Sequence, residues 1–136
     1  MRGEAIERDE FRTPVSPEGL HVVQVTSDPK RDSTVACQYI IRWTPDSRRL
    51  LFYRTASEDG ASRAGIWVCD TEDQFASRPV YEWDTTLFSH TPYGRDVTGK
   101  IADTFLVTPD GRSILVVRRA RDVLELCRVD LETRRE

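Results

Sequence analysis

Histidine and cysteine are both scarce in this sequence of 136 residues, and neither is arranged to bind a metal ion. The two histidines, His21 and His90, lie far apart and have no cysteine, aspartate or glutamate at the spacing of a metal site. The three cysteines, Cys37, Cys69 and Cys127, include no Cys-x-x-Cys pair. We therefore expect no metal or other cofactor. We also predict that the cysteines are buried free thiols, because free cysteine commonly packs as a small apolar side chain.

The sequence also lacks an excess of positive charge and any long apolar run. Its formal net charge is −3 and its isoelectric point is about 5.5. This balance argues against binding to nucleic acids or to anionic membranes, since both would repel the chain. No run approaches the roughly 20 apolar residues that span a bilayer, and the segment that starts Met1-Arg2-Gly3-Glu4 has no apolar signal core. The expected location is cytoplasmic.

Helical periodicity is missing as well, because no segment keeps an amphipathic period of 3.6 residues over ten residues. Short β-branched and aromatic runs, separated by polar turns, indicate an antiparallel all-β fold instead. One strand is predicted at 21–26. One sheet is predicted from strands at 38–43, 50–54, 65–70 and 79–83, and a second group of strands at 104–107, 113–118 and 123–130.

A repeat becomes visible when the second half of the chain is aligned with the first. Thr44-Pro45-Asp46 matches Thr108-Pro109-Asp110 at an offset of 64 residues, and Ile66–Asp70 matches Leu126–Asp130 at an offset of 60. In each Pro-Asp turn, proline fixes φ and aspartate bonds nearby backbone amides, so the turn ends one strand and starts its antiparallel partner. Repeated units of this kind predict antiparallel four-stranded blades of a partial β-propeller.

The repeat also gives the expected domain boundaries. Residues 1–20 are expected to form a flexible N-terminal arm, because they are charged and interrupted by prolines. Residues 21–136 are expected to form the partial propeller, and its parts are an outer strand at 21–26, a first full blade at about 38–84, a long loop at 85–103 and a second, incomplete blade at 104–130.

Fewer than two blades cannot close a disk, so some sheet faces are expected to need a partner. Leu50–Tyr53 and Ile114–Val117 are apolar on both faces of their strands. An isolated pair of blades would therefore leave apolar faces open at its ends. The expected partners are other blades of the same protein or further copies of the chain.

These motifs resemble the repeat of TolB-like β-propeller proteins, in which a Trp/Phe-Ser/Thr-Pro-Asp-Gly turn leads into an apolar strand and a later strand ends in aspartate. The resemblance is carried by Val25-Thr26-Ser27-Asp28-Pro29, Trp43-Thr44-Pro45-Asp46-Ser47, Ile66-Trp67-Val68-Cys69-Asp70 and Thr108-Pro109-Asp110-Gly111. More weakly, the opening is similar to the N-terminal part of oligogalacturonate lyases. That similarity implies a protein that cleaves uronate oligosaccharides by β-elimination, with its catalytic residues outside this chain. Two alternatives stay open, a non-catalytic propeller module for protein interaction and the propeller domain of a serine peptidase.

The loop at 85–103 holds the candidate substrate-binding residues, which are His90, Tyr93, Arg95 and Lys100. Long loops on a rigid scaffold often carry binding groups, and an aromatic ring can stack on a sugar. In a uronate lyase, cations stabilise the charge that forms when a base removes the proton next to the carboxylate. Arg95 and Lys100 are therefore the candidates for holding an acidic oligosaccharide. No catalytic residue is assigned, because the sequence has no Gly-x-Ser-x-Gly elbow and no glycine-rich phosphate loop.

Overall fold

The computed structural model describes residues 5–27, 33–34, 42–56, 63–84, 105–120 and 123–135. These ranges contain the strands β1 (Ile6–Glu7), β2 (Val23–Gln24), β3 (Ser33–Thr34), β4 (Arg49–Ala56), β5 (Arg63–Asp70), β6 (Ala76–Asp84), β7 (Phe105–Val107), β8 (Ser113–Ala120) and β9 (Val123–Asp130). A single 3-10 turn lies at Asp9–Phe11, and these ranges contain no α-helix.

All the strand pairs in the described part of the chain are antiparallel. Strands β1 and β2 form sheet I, strands β3 to β6 form sheet II in sequential order, and strands β7 to β9 form sheet III in sequential order. The antiparallel all-β class predicted from the sequence is confirmed. Within the described ranges, the three sheets do not close into a ring.

Long hairpins form the centre of both large sheets. The β4–β5 hairpin runs from the pair Arg49↔Asp70 to the pair Ala56↔Arg63, and the β8–β9 hairpin runs from Ser113↔Asp130 to Ala120↔Val123. The apolar runs seen in the sequence begin at the same place in each hairpin, directly after the Pro-Asp turn. Their β-branched and aromatic side chains suit strands that are packed on both faces.

Sheet II is not the blade of four full strands that the sequence predicted. Sheet II has three long strands, and its fourth member is the two-residue strand β3, which lies upstream of the predicted boundary at residue 38. Only residues 42 and 43 of the predicted strand 38–43 lie within the described ranges, and Trp43 forms an isolated bridge with Leu50. Sheet III has three strands, close to the predicted ranges.

The N-terminal region contains a strand pair that the sequence did not predict. Strand β1 lies inside the expected arm and pairs with β2, so that Ile6 is opposite Gln24 and Glu7 is opposite Val23. The predicted strand at 21–26 is thus represented by the two residues of β2, which pair with β1 of the same chain.

Strand β6 begins three residues earlier than predicted, at Ala76 instead of Pro79. Ile66 is opposite Tyr81 while Trp67 is opposite Pro79, so β6 carries one extra residue at this point, which is a β-bulge. A bulge tolerates proline inside a sheet because the hydrogen-bond ladder is already interrupted there.

The two large sheets share one hydrophobic core. Its buried side chains are Leu51, Tyr53, Ile66, Val68, Val80, Phe105, Ile114, Val116, Val129 and Leu131. The rings of Tyr53 and Phe105 meet edge to face across the core, with centroids 5.2 Å apart. We call the sheet II side of this contact the docking face, and it consists of Leu51, Tyr53, Ile66, Val68 and Val80.

Candidate functional site

The two Pro-Asp turns have the same hydrogen-bonded structure. Thr44 Oγ1 donates to Asp46 Oδ1 at 2.5 Å and accepts the amide five residues later at 3.0 Å. Thr108 Oγ1 makes the equivalent bonds, with 2.5 Å to Asp110 Oδ1 and 3.0 Å from the amide five residues later. The turn role predicted for both aspartates is confirmed.

These bonds keep both aspartates ionised. The hydrogen bond from Thr44, followed by the one from the backbone amide of Arg48, lowers the pKa of Asp46. Thr108 and the amide of Arg112 lower the pKa of Asp110 in the same order. A carboxylate held in this state is a poor proton acceptor near neutral pH. Both aspartates are therefore structural groups of the turns.

The two turns also touch each other. Gly111 has a φ of +68°, and a β-carbon there would lie 3.1 Å from Pro45 Cδ and 3.5 Å from Thr44 Cβ. Ser47 occupies the equivalent position of the first turn with a φ of 58°. Glycine in the second turn thus satisfies both the left-handed backbone and the close approach of the first turn.

A charged cleft of about 590 Å³ opens where the ends of the two large sheets meet. Its charged lining residues are Arg48, Arg49, Asp70, Asp73, Arg78 and Glu132. Glu132 follows β9 in sheet III, whereas the other five belong to sheet II and its turns. Glu132 forms ion pairs with Arg49 and with Arg78, the latter at 3.4 Å. The cleft is thus bridged by a carboxylate from one sheet held by two guanidinium groups of the other.

Asp70 organises the sheet II side of this cleft. It accepts the backbone amide of Glu72 at 3.0 Å and the Nε groups of Arg48 and Arg49 at 3.3 Å and 3.4 Å. Burial alone would raise the pKa of Asp70, but these bonds together lower it. Burial lowers the pKa of Arg78. Asp70 and Glu132 each face at least one arginine, so these groups connect the two sheets and do not form an acid–base pair.

Arg42 provides a second connection between the sheets. Its side chain is buried, its guanidinium carbon lies 4.0 Å from the centroid of the Phe105 ring, and its Nη1 donates to the Phe105 carbonyl at 3.2 Å. A desolvated cation–π contact of this kind contributes roughly 2 kcal/mol. The first strand of sheet III is therefore held on sheet II by a buried cation as well as by apolar packing.

The other face of sheet III is apolar and open. Leu106 and Leu126 are 55% and 68% exposed, and Leu115 and Val117 are half-buried beside them. Leu106 is opposite Leu115 and Val117 is opposite Leu126, so the four side chains form one patch on the side away from the shared core. We call this patch the outer face of sheet III. Contiguous exposed apolar patches commonly mark interaction sites.

The repeat shows that the outer face of sheet III is the counterpart of the docking face of sheet II. Leu51 and Tyr53 correspond to Leu115 and Val117, and Ile66 corresponds to Leu126. The strand register agrees, because the pair Leu51↔Val68 in sheet II is matched by the pair Leu115↔Arg128 in sheet III. The same surface is buried in sheet II and partly exposed in sheet III.

The opposite face of sheet II is covered by the chain itself. Phe52 and Trp67 are 3% and 5% exposed there, and Val25 and Phe75 pack against the cluster that they form with Cys69. Burial, with a smaller contribution from Asp70, raises the pKa of Cys69 to about 11. This thiol is therefore a packing group and not a nucleophile, as the sequence predicted.

The substrate-binding residues predicted from the sequence, His90, Tyr93, Arg95 and Lys100, lie outside the described residues, as does the whole loop at 85–103. Their role stays a prediction. His21 is exposed, two residues before the start of β2, and its Nδ1 lies 3.0 Å from Glu7 Oε1.

Three other features of the described ranges bear on the sequence-based expectations. Cys127 is half-buried, while Cys37 falls outside these ranges. No group of three or more His, Cys, Asp or Glu side chains within them is placed to hold a metal ion. They also contain no helix that has both the length and the apolar character needed to cross a membrane.

No family model matches the chain, and neither does any curated protein or solved structure. The resemblance to TolB-like propellers therefore rests on the repeat motifs alone.

Proposed function

We propose that this chain is a non-catalytic interaction module of the β-propeller type, which binds a further β-sheet on the outer face of sheet III. The observation that carries the proposal is the equivalence between that exposed face and the buried docking face of sheet II. A surface that already packs against a β-sheet in one copy of the repeat is suited to the same contact in the other copy.

The chemistry of the described residues supports binding rather than catalysis. The carboxylates of Asp46, Asp110, Asp70 and Glu132 are hydrogen-bonded or ion-paired, and burial raises the pKa of Cys69. Uronate β-elimination and a role beside a peptidase domain stay proposals drawn from the sequence resemblance. The interaction module is the alternative that the sheet geometry favours.

An extended chain tests the proposal directly. A second copy of residues 76–135, inserted between Arg135 and Glu136, supplies an equivalent of β6 and another sheet of the type of sheet III, at the natural spacing of the repeat. If the added sheet packs on the outer face, hydrogen exchange of the β8 amides should slow by about tenfold or more, and Tm should rise. Unchanged exchange in β8 would contradict the proposal.

Replacing Leu126 by Lys in the original sheet III provides the control. In the parent chain this side chain is 68% exposed, so the substitution should leave stability within about 0.5 kcal/mol. In the extended chain it should cancel the protection, because a charge would then be buried in the new interface. Protection that survives Leu126→Lys would come from strand pairing at the sheet edge alone, and would also contradict the proposal.

A further inference from the structure

At one end of the docking face, two arginines of sheet II bind a carboxylate of the sheet that packs there. Arg49 and Arg78 lie at this end of sheet II, and they hold Glu132, which comes from the turn directly after the last strand of the sheet that docks there. The apolar packing of the two sheets is thus accompanied by one carboxylate from the incoming sheet.

At the outer face of sheet III, the arginine lies on β9, whereas the arginine of the docking face, Arg49, lies on β4, the counterpart of β8. Ser113 stands at the position of Arg49, while Arg128 stands at the position of Val68. Arg128 Nε donates to Ser113 Oγ at 3.0 Å, so its guanidinium group lies over the site that Arg49 fills in sheet II. The docking face and the outer face of sheet III therefore each have an arginine at the same end, Arg49 in sheet II and Arg128 in sheet III.

The cation at this end of sheet III is available to a partner. The side chain of Arg128 is 62% exposed, and its Nη2 lies 3.5 Å from Asp110 Oδ2, the limit of a hydrogen bond. In sheet II the equivalent cation, Arg49, is only 18% exposed and pairs with Glu132 of the docked sheet.

We propose that the sheet bound on the outer face carries a carboxylate in the turn after its last strand, and that this carboxylate pairs with Arg128. The partner is therefore an antiparallel β-sheet of the same repeat type, with an apolar face and an acidic turn. This inference rests on the proposed function, since it names the chemistry of the sheet that the outer face binds. The ion pair fixes the register and orientation of docking more than it adds affinity.

Charge reversal in the extended chain tests the pair, because the inserted copy supplies its own Glu132. Replacing Arg128 in the original sheet III by Glu should speed exchange of the β8 amides about two- to fivefold, the range for a partly exposed ion pair. Replacing Glu132 of the inserted copy by Arg should have a similar effect. Combining the two changes should restore protection, and added salt should shrink the effect of each single change.

The same substitutions separate the two proposals. Arg128→Glu in the parent chain measures the loss of the Ser113 and Asp110 contacts alone, and this value is subtracted. If Leu126→Lys removes protection but charge reversal at Arg128 does not, the interaction module stands and the ion pair is wrong. If insertion of the second copy gives no protection at all, both proposals fail.

Discussion

Single residues at the Pro-Asp turns determine how closely the two large sheets approach. Ser47 and Gly111 occupy equivalent left-handed positions, and Gly111 lies against the other turn, where an added β-carbon would be 3.1 Å from Pro45 Cδ. We therefore expect Ser47→Gly to stabilise the protein and Gly111→Ala to destabilise it.

Ser47→Gly should raise the free energy of unfolding by about 0.5 kcal/mol. Relief of roughly 1–2 kcal/mol of left-handed strain exceeds the entropic cost of glycine, about 1 kcal/mol. Urea unfolding with an unchanged m-value measures this gain. A loss of stability would show that the Ser47 side chain contributes more to the turn than its backbone strain costs.

Gly111→Ala should lower the free energy of unfolding by more than about 1 kcal/mol, because it adds both left-handed strain and a clash with the first turn. Gly19→Ala is the matched control, since Gly19 has a φ of +77° but no atom within 4 Å of an added β-carbon. Equal losses at the two positions would mean that the contact between the turns does not contribute to the free energy of unfolding.

Acid should destabilise the protein through the same turns. Because the pKa values of Asp46 and Asp110 are lowered in the folded state, the stability they provide is present above the unfolded value near 3.9. It is lost as the pH falls through the folded values. Carboxyl-carbon NMR titration should give midpoints below that value, and Thr44→Val should raise the Asp46 midpoint alone. A midpoint for Asp46 that does not respond to Thr44→Val would exclude the hydrogen bond as its cause.

At the scale of the elements, the contact between β7 and sheet II depends on Arg42. A double-mutant cycle with Arg42→Met and Phe105→Leu should give a coupling of roughly 1–2 kcal/mol, since the ring is removed while the Phe105 carbonyl remains. Arg54→Met with Phe105→Leu is the control, because Arg54 lies over the Trp67 ring instead. That pair should be additive within about 0.5 kcal/mol. Additivity in the Arg42 cycle would show that apolar packing alone holds β7.

The strand elements were predictable wherever side-chain pattern and turn chemistry agree. The hairpins after Thr44-Pro45-Asp46 and Thr108-Pro109-Asp110 appear as expected, because a local turn and an apolar run specify each one. Strand β6 was predicted too short, since proline usually marks the first residue of a strand and here lies in a bulge. Strand β1 and its pairing with β2 were missed, because a two-residue strand carries no periodicity.

The residues of the charged cleft were not identified from the sequence. Arg49, Arg78 and Glu132 are far apart along the chain, and only the packing of sheet III on sheet II brings them together. A signal was nevertheless present. The offset of 60 residues aligns Glu132 with Glu72, which marks an acidic turn after the last matched strand of each copy.

At the scale of the whole molecule, binding of an acidic oligosaccharide by the loop at 85–103 stays open to a direct test. Arg95→Ala and Lys100→Ala should each weaken binding of a uronate oligosaccharide about tenfold, the value of one charged hydrogen bond. Titration calorimetry measures the change, with Arg112→Ala, an exposed arginine outside the loop, as the control. Unchanged affinity in both loop variants would identify the loop as an ordinary connection.

The covering of one sheet face by Val25 and Phe75 has a consequence for stoichiometry. Identical units whose front fits the back of the next unit polymerise without limit unless they close into a ring. Here Phe52 and Trp67, on the back of sheet II, are already covered by the chain's own side chains, so a second copy finds no site for its outer face. Under the proposed function, the molecule would therefore accept one partner sheet at sheet III and end the stack at sheet II, and it would not grow into fibres.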